Sequence, residues 1–316
     1  MPAKKTNEAI IFLNPVCNYG KGFSLWNKVK EKIKGQLGEP EVAAIPSTED
    51  ISRLVRKWYQ EGARFFIAAG GDGTVNLLVN TLLKTIEDPR QVMLGAIGLG
   101  SSNDFHKPFQ KEAFIDTVPV KIDPTHTRFT DIIRIDYPGS FGESQSRFCL
   151  INASIGITAQ ANSSANQRPP FIRFLHRITP DLAITVLALK TIFTYKDIPC
   201  QLISNGGDKR QVWVSNLGVI KNPHFAGSLA YDTLIEPDDG KLGINLCWEL
   251  SRIERIALLM ALYRHHFKGR KKTQSWLATQ FRIESQETFA LEIDGEVVLT
   301  NRACFTLLPG KVRCCQ

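Results

Sequence analysis

Phe65-Phe66-Ile67-Ala68-Ala69-Gly70-Gly71-Asp72-Gly73-Thr74-Val75-Asn76-Leu77-Leu78-Val79 is the stretch on which the reading of the fold turns. Residues 65–69 form an apolar run of buried-strand type, and Val75, Leu78, Val79, Leu82, Leu83 and Ile86 then recur at helical spacing. A strand therefore passes into a helix through three glycines and one carboxylate. Glycine lets the backbone approach a phosphate closely, and the helix offers free N–H groups and the positive end of its dipole. Asp72 would repel phosphate unless Mg²⁺ came between them. A tight turn with an aspartate cap is spelled the same way, so these residues alone leave both readings open.

Working outward, residues 9–13 read as another buried strand, and residues 41–45 and 92–97 as further strands. Phe23, Trp26, Val29, Ile33 and Leu37 mark one intervening helix. Ile51, Leu54, Val55, Trp58 and Tyr59 mark another, with Ser47, Thr48 and Asp50 ahead of them as capping candidates. The order βαβαβαβ predicts a parallel sheet covered on both faces, with ligands beyond the carboxyl ends of its strands. After about residue 127 the texture becomes β. Residues 129–137 and 147–153 flank a Pro-Gly turn, and residues 200–204 and 211–217 flank Asn205-Gly206-Gly207. More strands are expected at 241–248, 281–285, 289–293, 297–300 and 303–308. Helical insertions are expected at 171–195 and 252–267. The predicted fold is α/β: an N-terminal parallel-sheet nucleotide-binding domain followed by a C-terminal β-sandwich domain.

With 316 residues, two lobes are more natural than one core. The net charge of +8 favours anionic partners, whether nucleic acid, phosphate-bearing small molecules or an acidic membrane face. The basic residues carry few interleaved aromatics and no nucleic-acid module, which sets nucleic acid aside. Seven cysteines without metal-ligand spacing suit a reducing cytosol. The first apolar segment is too short for a signal peptide, and no apolar stretch approaches the roughly 20 residues that span a bilayer. A cytoplasmic protein with peripheral membrane contact is the expectation. Prenylation would need a cysteine where Arg313 stands.

Two common nucleotide motifs are missing. A Walker loop would need glycine at Pro15 and Ser or Thr at Gly22, and no GxGxxG follows the first strand. Instead, the segment around Gly70-Gly71-Asp72-Gly73-Thr74 resembles the GGDGT signature of the diacylglycerol kinase, sphingosine kinase and bacterial lipid kinase superfamily. Four more segments agree in order. Asn14-Pro15-Val16-Cys17-Asn18-Tyr19-Gly20-Lys21-Gly22 resembles the opening NPxSGxGK loop, and Gly100-Ser101-Ser102-Asn103-Asp104-Phe105 the GTxNDF loop. Pro237-Asp238-Asp239-Gly240-Lys241-Leu242 is similar to the DDGxL loop, and Ile293-Asp294-Gly295-Glu296 to the carboxyl-terminal DGE.

The resemblance implies an ATP-dependent phosphotransferase acting on a lipid hydroxyl. It makes residues 1–127 the ATP-binding catalytic domain, to which a segment from about 303 to 316 returns, and 128–302 the lipid-binding β-sandwich. Asn14, Thr48, Gly70, Gly71, Asp72, Gly73, Thr74, Asn76, Ser101 and Asn103 would contact the nucleotide. Asp72, Asp104 and Asp131 would form a water-linked network for the catalytic Mg²⁺, and Asp294 would be the general base. Asp239, with carbonyls of Glu236 and Lys241, would bind a second, structural Mg²⁺. Asp294-Gly295 between two strands is also an ordinary hairpin turn, and the two readings are compatible. Departures from the pattern are Cys17 and Asn18 in the opening loop, Leu77 where many relatives have Glu, Gly98 where many have Pro, and Gly243 where Asp is common.

Residues 251–272 carry Arg252, Arg255, Arg264, Lys268, Arg270, Lys271 and Lys272, with Leu258, Leu259 and Leu262 at helical spacing. Such a segment could dock on anionic lipid, or pack its leucines inward with its cations in water. Arg168, Phe171, Arg173, Phe174 and Arg177 offer a second candidate. The rival functions are a kinase of a soluble acceptor such as NAD and a catalytically idle nucleotide-binding regulator at membranes. The oligomeric state is left open, a homodimer being one option.

Overall fold

A computed structural model describes residues 9–45, 48–139, 142–166, 186, 189–207 and 209–316. The chain forms two compact units, Met1–Asp131 with Pro309–Gln316, and Ile132–Leu308.

In the first unit the expected strands become β1 (Ala9–Leu13), β2 (Glu41–Ala44), β3 (Phe65–Gly70) and β4 (Met93–Gly98), paired in parallel in the order β2-β1-β3-β4. The helices are α1 (Gly22–Leu37), α2 (Thr48–Gln60) and α3 (Asp72–Thr85). Ala9, Ile11 and Leu13 share a core with Trp26, Val29 and Ile33 of α1. Phe12, pointing the other way, meets the Trp58 ring of α2 edge-on at 5.6 Å. Both faces are covered at β1, β3 and β4, which is why these three are apolar throughout rather than at alternate positions, whereas β2 at the edge begins with Glu41 and is largely exposed. The short strands β5 (Phe114–Ile115) and β6 (Val118–Lys121) pair with each other, and β6 runs antiparallel to β4.

The second unit is antiparallel. It comprises β7 (Thr127–Pro138, which begins in the first unit), β8 (Ser144–Cys149), β9 (Asn152–Gly156), β10 (Ile198–Ser204), β11 (Arg210–Ile220), the short pair β12 (His224–Phe225) and β13 (Leu229–Ala230), β14 (Leu242–Trp248), β15 (Thr273–Ala278) and β16 (Gln280–Ile293). The last strand, β17 (Glu296–Cys315), ends in the first unit, where Arg313 and Cys314 pair in parallel with Met93 and Leu94. Among the described residues the second unit's helices include α4 (Ile157–Asn166) and α5 (Arg252–Tyr263), and residues 189–194 are also helical. β10 lies between β11 and β16 over the first half of each, and β9 takes its place over the second half. Phe281, Phe289 and Phe305 fill the core of these strands.

Three local expectations need correction. Residues 147–153 do not form one strand: β8 stops at Cys149 and β9 starts at Asn152, because the backbone between them turns its N–H groups toward Asp294. Residues 281–285 and 289–293 belong to a single strand, β16, whose register shifts between Glu284 and Phe289, and residues 297–300 and 303–308 likewise to β17. Helix α4 (ITAQANSSAN) has no apolar stripe to announce it. The insertion expected at 171–195 lies mostly outside the described residues. Among the described residues no helix is long and apolar enough to cross a membrane.

Candidate active site

Three loops converge at the carboxyl ends of β1, β3 and β4. The Asn14 N–H donates to the Ala69 carbonyl (2.8 Å), and the Leu99 N–H to the Gly70 carbonyl (2.8 Å). Asn14 Nδ2 donates to Thr74 Oγ1 (3.1 Å), Cys17 Sγ to the Leu99 carbonyl (3.5 Å), and Asn18 Nδ2 to the Gly100 carbonyl (3.4 Å). Asn18 sits at φ 51°, the left-handed backbone that a glycine would supply. Burial pushes the Cys17 thiol up to about 11, so it stays protonated.

Gly71 and Gly100 touch backbone to backbone. A Cβ on Gly100 would lie 2.5 Å from Gly71 Cα, and one on Gly71 3.2 Å from Gly100 Cα. These two glycines bring the second and third loops into contact. Asn103 braces the third loop from the left-handed region (φ 49°): its Oδ1 accepts from Gly100 N (3.0 Å), and its Nδ2 donates to the Gly98 and Gly100 carbonyls. A Cβ at Gly98 would meet Pro119, Asn103 and His106 within 3.1 Å, which favours glycine there.

Asp72 opens α3 behind Gly71, which caps without a side chain. Asp72 Oδ1 accepts from the N–H of Phe105 (2.9 Å), so the backbone beside Asp104 is tied to the start of the helix. Asp104 is nearly buried and pairs with Lys107 Nζ at 2.6 Å, the lysine being equally buried. Lys107 is a site residue that sequence reasoning missed, although its spacing of three from Asp104 in a short 3₁₀ turn (Asp104–His106) was available as a signal. Of the other nucleotide candidates, Thr74 and Asn76 are buried at the base of α3, Gly73 and Ser101 are exposed, and Thr48 begins α2. Ser47 lies outside the described residues. Asp131 is buried and accepts from Gly310 N (2.9 Å). Among the described residues no three His, Cys, Asp or Glu side chains gather as a metal's direct ligands, so a cation near Asp72 and Asp104 would be held partly through water.

Beneath this loop His106 is buried, with Nε2 3.4 Å from the Ala96 carbonyl and Nδ1 without a partner. Burial, reinforced by the charge of Lys121, lowers its pKa to about 3. The unfolded chain, with histidine near 6.5, binds the extra proton first, so stability falls as pH drops from about 6.5 toward 3, by up to about 1.4 kcal/mol per pH unit. Urea titrations at pH 7 and pH 5 should show His106→Gln losing about 2 kcal/mol less than the parent protein over that interval. Equal losses would contradict the assignment.

In the second unit Asp294 sits at the β16–β17 turn at φ 45°, followed by Gly295 at φ 93°, as a tight Asp-Gly hairpin requires. Its side chain is buried. Oδ1 accepts from Ile151 N (3.0 Å), Asn152 N (2.9 Å) and Cys149 Sγ (3.1 Å), and Oδ2 from Leu150 N (2.8 Å). Three successive backbone N–H groups thus compensate a buried charge. Burial, and then the Asp294 charge, hold the Cys149 thiol well above its usual range, so it stays an S–H donor. Glu292 is a second buried carboxylate that sequence reasoning missed; it accepts from Ser154 Oγ (2.7 Å) and Gly295 N (2.6 Å).

The set expected to bind a second Mg²⁺ does not fit a metal. Lys221 Nζ lies 2.7 Å from Asp239 Oδ1 and 2.9 Å from the Lys241 carbonyl, so an ammonium stands where the ion was expected. Asp239 also accepts from Glu236 N (3.0 Å), so Glu236 meets it through its N–H.

The basic segment also divides. Arg255 is buried, donating to the Ile192 and Tyr195 carbonyls and to Asp197 at 2.5 Å, so it is structural. Leu258, Leu259 and Leu262 pack inward with Ile192, Tyr231 and Phe267. The outer face of α5 shows Ile253 (80% exposed) and Met260 (50% exposed), with Arg252, Arg264, Lys268 and Arg270 exposed on and after the helix. Arg168, Phe171, Arg173, Phe174 and Arg177 lie outside the described residues. Between α4, α5 and the β12–β13 pair runs a narrow slot of about 80 Å³, lined by residues including Ala161, Phe225, Leu229, Leu258 and Phe267.

Residues 8–135 match the family model of the diacylglycerol kinase catalytic domain, and residues 152–316 that of the YegS C-terminal NAD kinase beta sandwich-like domain. The chain is 26% identical over 295 residues to a Stenotrophomonas maltophilia protein described as “Probable lipid kinase YegS-like”, covering 89% of this chain and 87% of that one. It is 23% identical over 266 residues to a protein of the same description from Chromohalobacter salexigens, covering 82% and 78%. In fold it is similar to the crystal structure of a diacylglycerol kinase from Bacillus anthracis, with a TM-score of 0.68 at 15% identity over 98% of this chain and 96% of that one.

Proposed function

Because the chain belongs to the diacylglycerol kinase-like lipid kinase family, of the YegS type, we propose that it transfers the γ-phosphate of ATP to the hydroxyl of a lipid. The observation that carries this reading is the glycine-to-glycine contact of Gly71 with Gly100. It leaves the start of α3 unobstructed by side chains, where a polyphosphate can meet backbone N–H groups and the helix dipole.

Asn14, Thr48, Gly70, Gly71, Gly73, Thr74, Asn76, Ser101 and Asn103 serve the nucleotide, Asn14 and Asn103 chiefly by holding the loops in register. The donor set beside the phosphates, Asp72 and Asp104 with hard carboxylate oxygens, suits Mg²⁺, and Asp131 is assigned to its water shell. When bound, Mg²⁺ neutralises the phosphate charge that builds up during transfer. Lys107 holds the Asp104 carboxylate in place and puts a second cation near the phosphates. Asp294 accepts the proton of the lipid hydroxyl as that oxygen attacks phosphorus; its cradle fixes the carboxylate's orientation.

The acceptor is a lipid rather than a soluble molecule such as NAD on the strength of two features of the second unit. The apolar slot beside α4 takes the near end of an acyl chain, and the exposed Ile253 and Met260 among cations suit shallow contact with an anionic membrane. Purified protein with labelled ATP and Mg²⁺ should label at least one member of a panel of diacylglycerol, sphingoid base and phosphatidylglycerol. Label on NAD alone would replace this reading with the soluble one, and nucleotide binding without any labelled product would favour an idle regulator. Filling the slot by Ala161→Phe should raise KM for the lipid about tenfold or more and leave KM for ATP unchanged. An unchanged lipid KM would remove the slot from the acceptor site.

A further inference from the structure

We propose that the loop at residues 236–241 carries its own cation, the Lys221 ammonium, and binds no second metal ion. Lys221 stands just beyond β11, and its side chain is only 1% exposed. A buried ammonium needs acceptors, and Asp239 Oδ1 and the Lys241 carbonyl serve it, two of the oxygens a hard cation would use in this loop. Asp239 is held further: Oδ1 also accepts from Lys241 N (3.0 Å) and Oδ2 from Glu236 N. Although burial alone would raise the pKa of Asp239, Lys221 and these two N–H groups take it below its ordinary value.

The neighbouring sequence agrees with the geometry, since the resembling loop commonly has a further aspartate. The position where the resembling loop has one is Gly243, and a Cβ there would lie 2.8 Å from Ile220 Cγ1 and 3.2 Å from Thr233 Cγ2. The space for a second acid is occupied by neighbouring side chains, so the internal lysine and the glycine go together.

The clip also bears on Asp294. The N–H groups of Lys221 and Asn222 both donate to the Ile151 carbonyl (2.8 and 3.0 Å), and the N–H of Ile151 is one of the donors that cradle Asp294. The backbone at Lys221 is thus tied, through Ile151, to the donors around Asp294.

The test uses the full-length protein without nucleotide. Its melting temperature should be the same, within a degree or so, in EDTA and in millimolar Mg²⁺, and Mn²⁺ binding isotherms of the parent and of Asp239→Asn should coincide. Lys221→Met should melt roughly 5 °C or more below the parent whether or not Mg²⁺ is present, because the Asp239 charge then loses its partner. A Mg²⁺-dependent rise in the parent's melting temperature that disappears in Asp239→Asn, or one more Mn²⁺ bound by the parent than by that variant, would overturn the proposal. So would a Lys221→Met protein as stable as the parent. If that variant fails to fold, the chelation and Mn²⁺ measurements on the parent still decide.

Discussion

Asp294→Asn is expected to lower turnover by roughly 10²–10⁴, the range that general-base contributions span, while ATP binds as before. ATP affinity should hold because every residue assigned to the nucleotide belongs to the first unit, and Asp294 to the second. The substitution should also cost stability. An asparagine oxygen can keep the donors now on Oδ1, but the amide nitrogen would then face Leu150 N–H, donor against donor. Leaving a buried N–H without an acceptor costs about 1–3 kcal/mol. Turnover and thermal stability should thus fall together, with the dissociation constant for ATP unmoved. Unchanged turnover would take Asp294 out of the chemistry and leave it a structural carboxylate.

Gly100→Ala should cost roughly 10² in kcat/KM for ATP. The added Cβ would sit 2.5 Å from Gly71 Cα, and since the obstacle is backbone, no side chain can swing aside. The second and third loops would have to separate by about 1 Å, a displacement that costs about that factor when it falls on substrate-positioning groups. Overpacking should add about 1–3 kcal/mol of destabilisation. Gly73→Ala supplies the contrast, because Gly73 has nothing within 4 Å of its missing Cβ and lies in the first turn of α3. Its stability should hold or rise by up to about 1 kcal/mol, since alanine favours the helix more than glycine does. Binding titrations with a fluorescent ATP analogue and urea unfolding of both variants would check the pair. Equal nucleotide affinity in the Gly100→Ala protein and the parent would mean that the loop contact does not shape the site.

The parts of the fold legible in the sequence are those set by local pattern. Residues 65–69 and 92–97 are apolar without interruption because helices cover both faces of their sheet, and Asn205-Gly206 marks its hairpin through the positive φ values it adopts. The glycine spacing of the loops was legible for the same reason, since Gly71 and Gly100 are needed where two backbones touch. What escaped depends on partners far away in the chain. The break at Leu150 and Ile151 is dictated by Asp294, more than 140 residues further on, and an apolar run alone gives no sign of it. Arg255 looked like one of several surface cations on a basic helix, yet Asp197 and two carbonyls take it inside. Lys221 followed by Asn-Pro reads as a loop lysine, and only the return of Asp239 to its side turns it into an internal cation.

The central claim is phosphoryl transfer from ATP to a lipid hydroxyl. Its most direct test is to incubate the protein with γ-³²P-labelled ATP, Mg²⁺ and mixed-lipid vesicles, extract with chloroform, and count the label in each phase. The prediction is radioactivity in the organic phase that grows with time and falls by roughly 10² or more with Asp294→Asn. Label that stays wholly in water, from a protein shown to bind ATP under the same conditions, would contradict it.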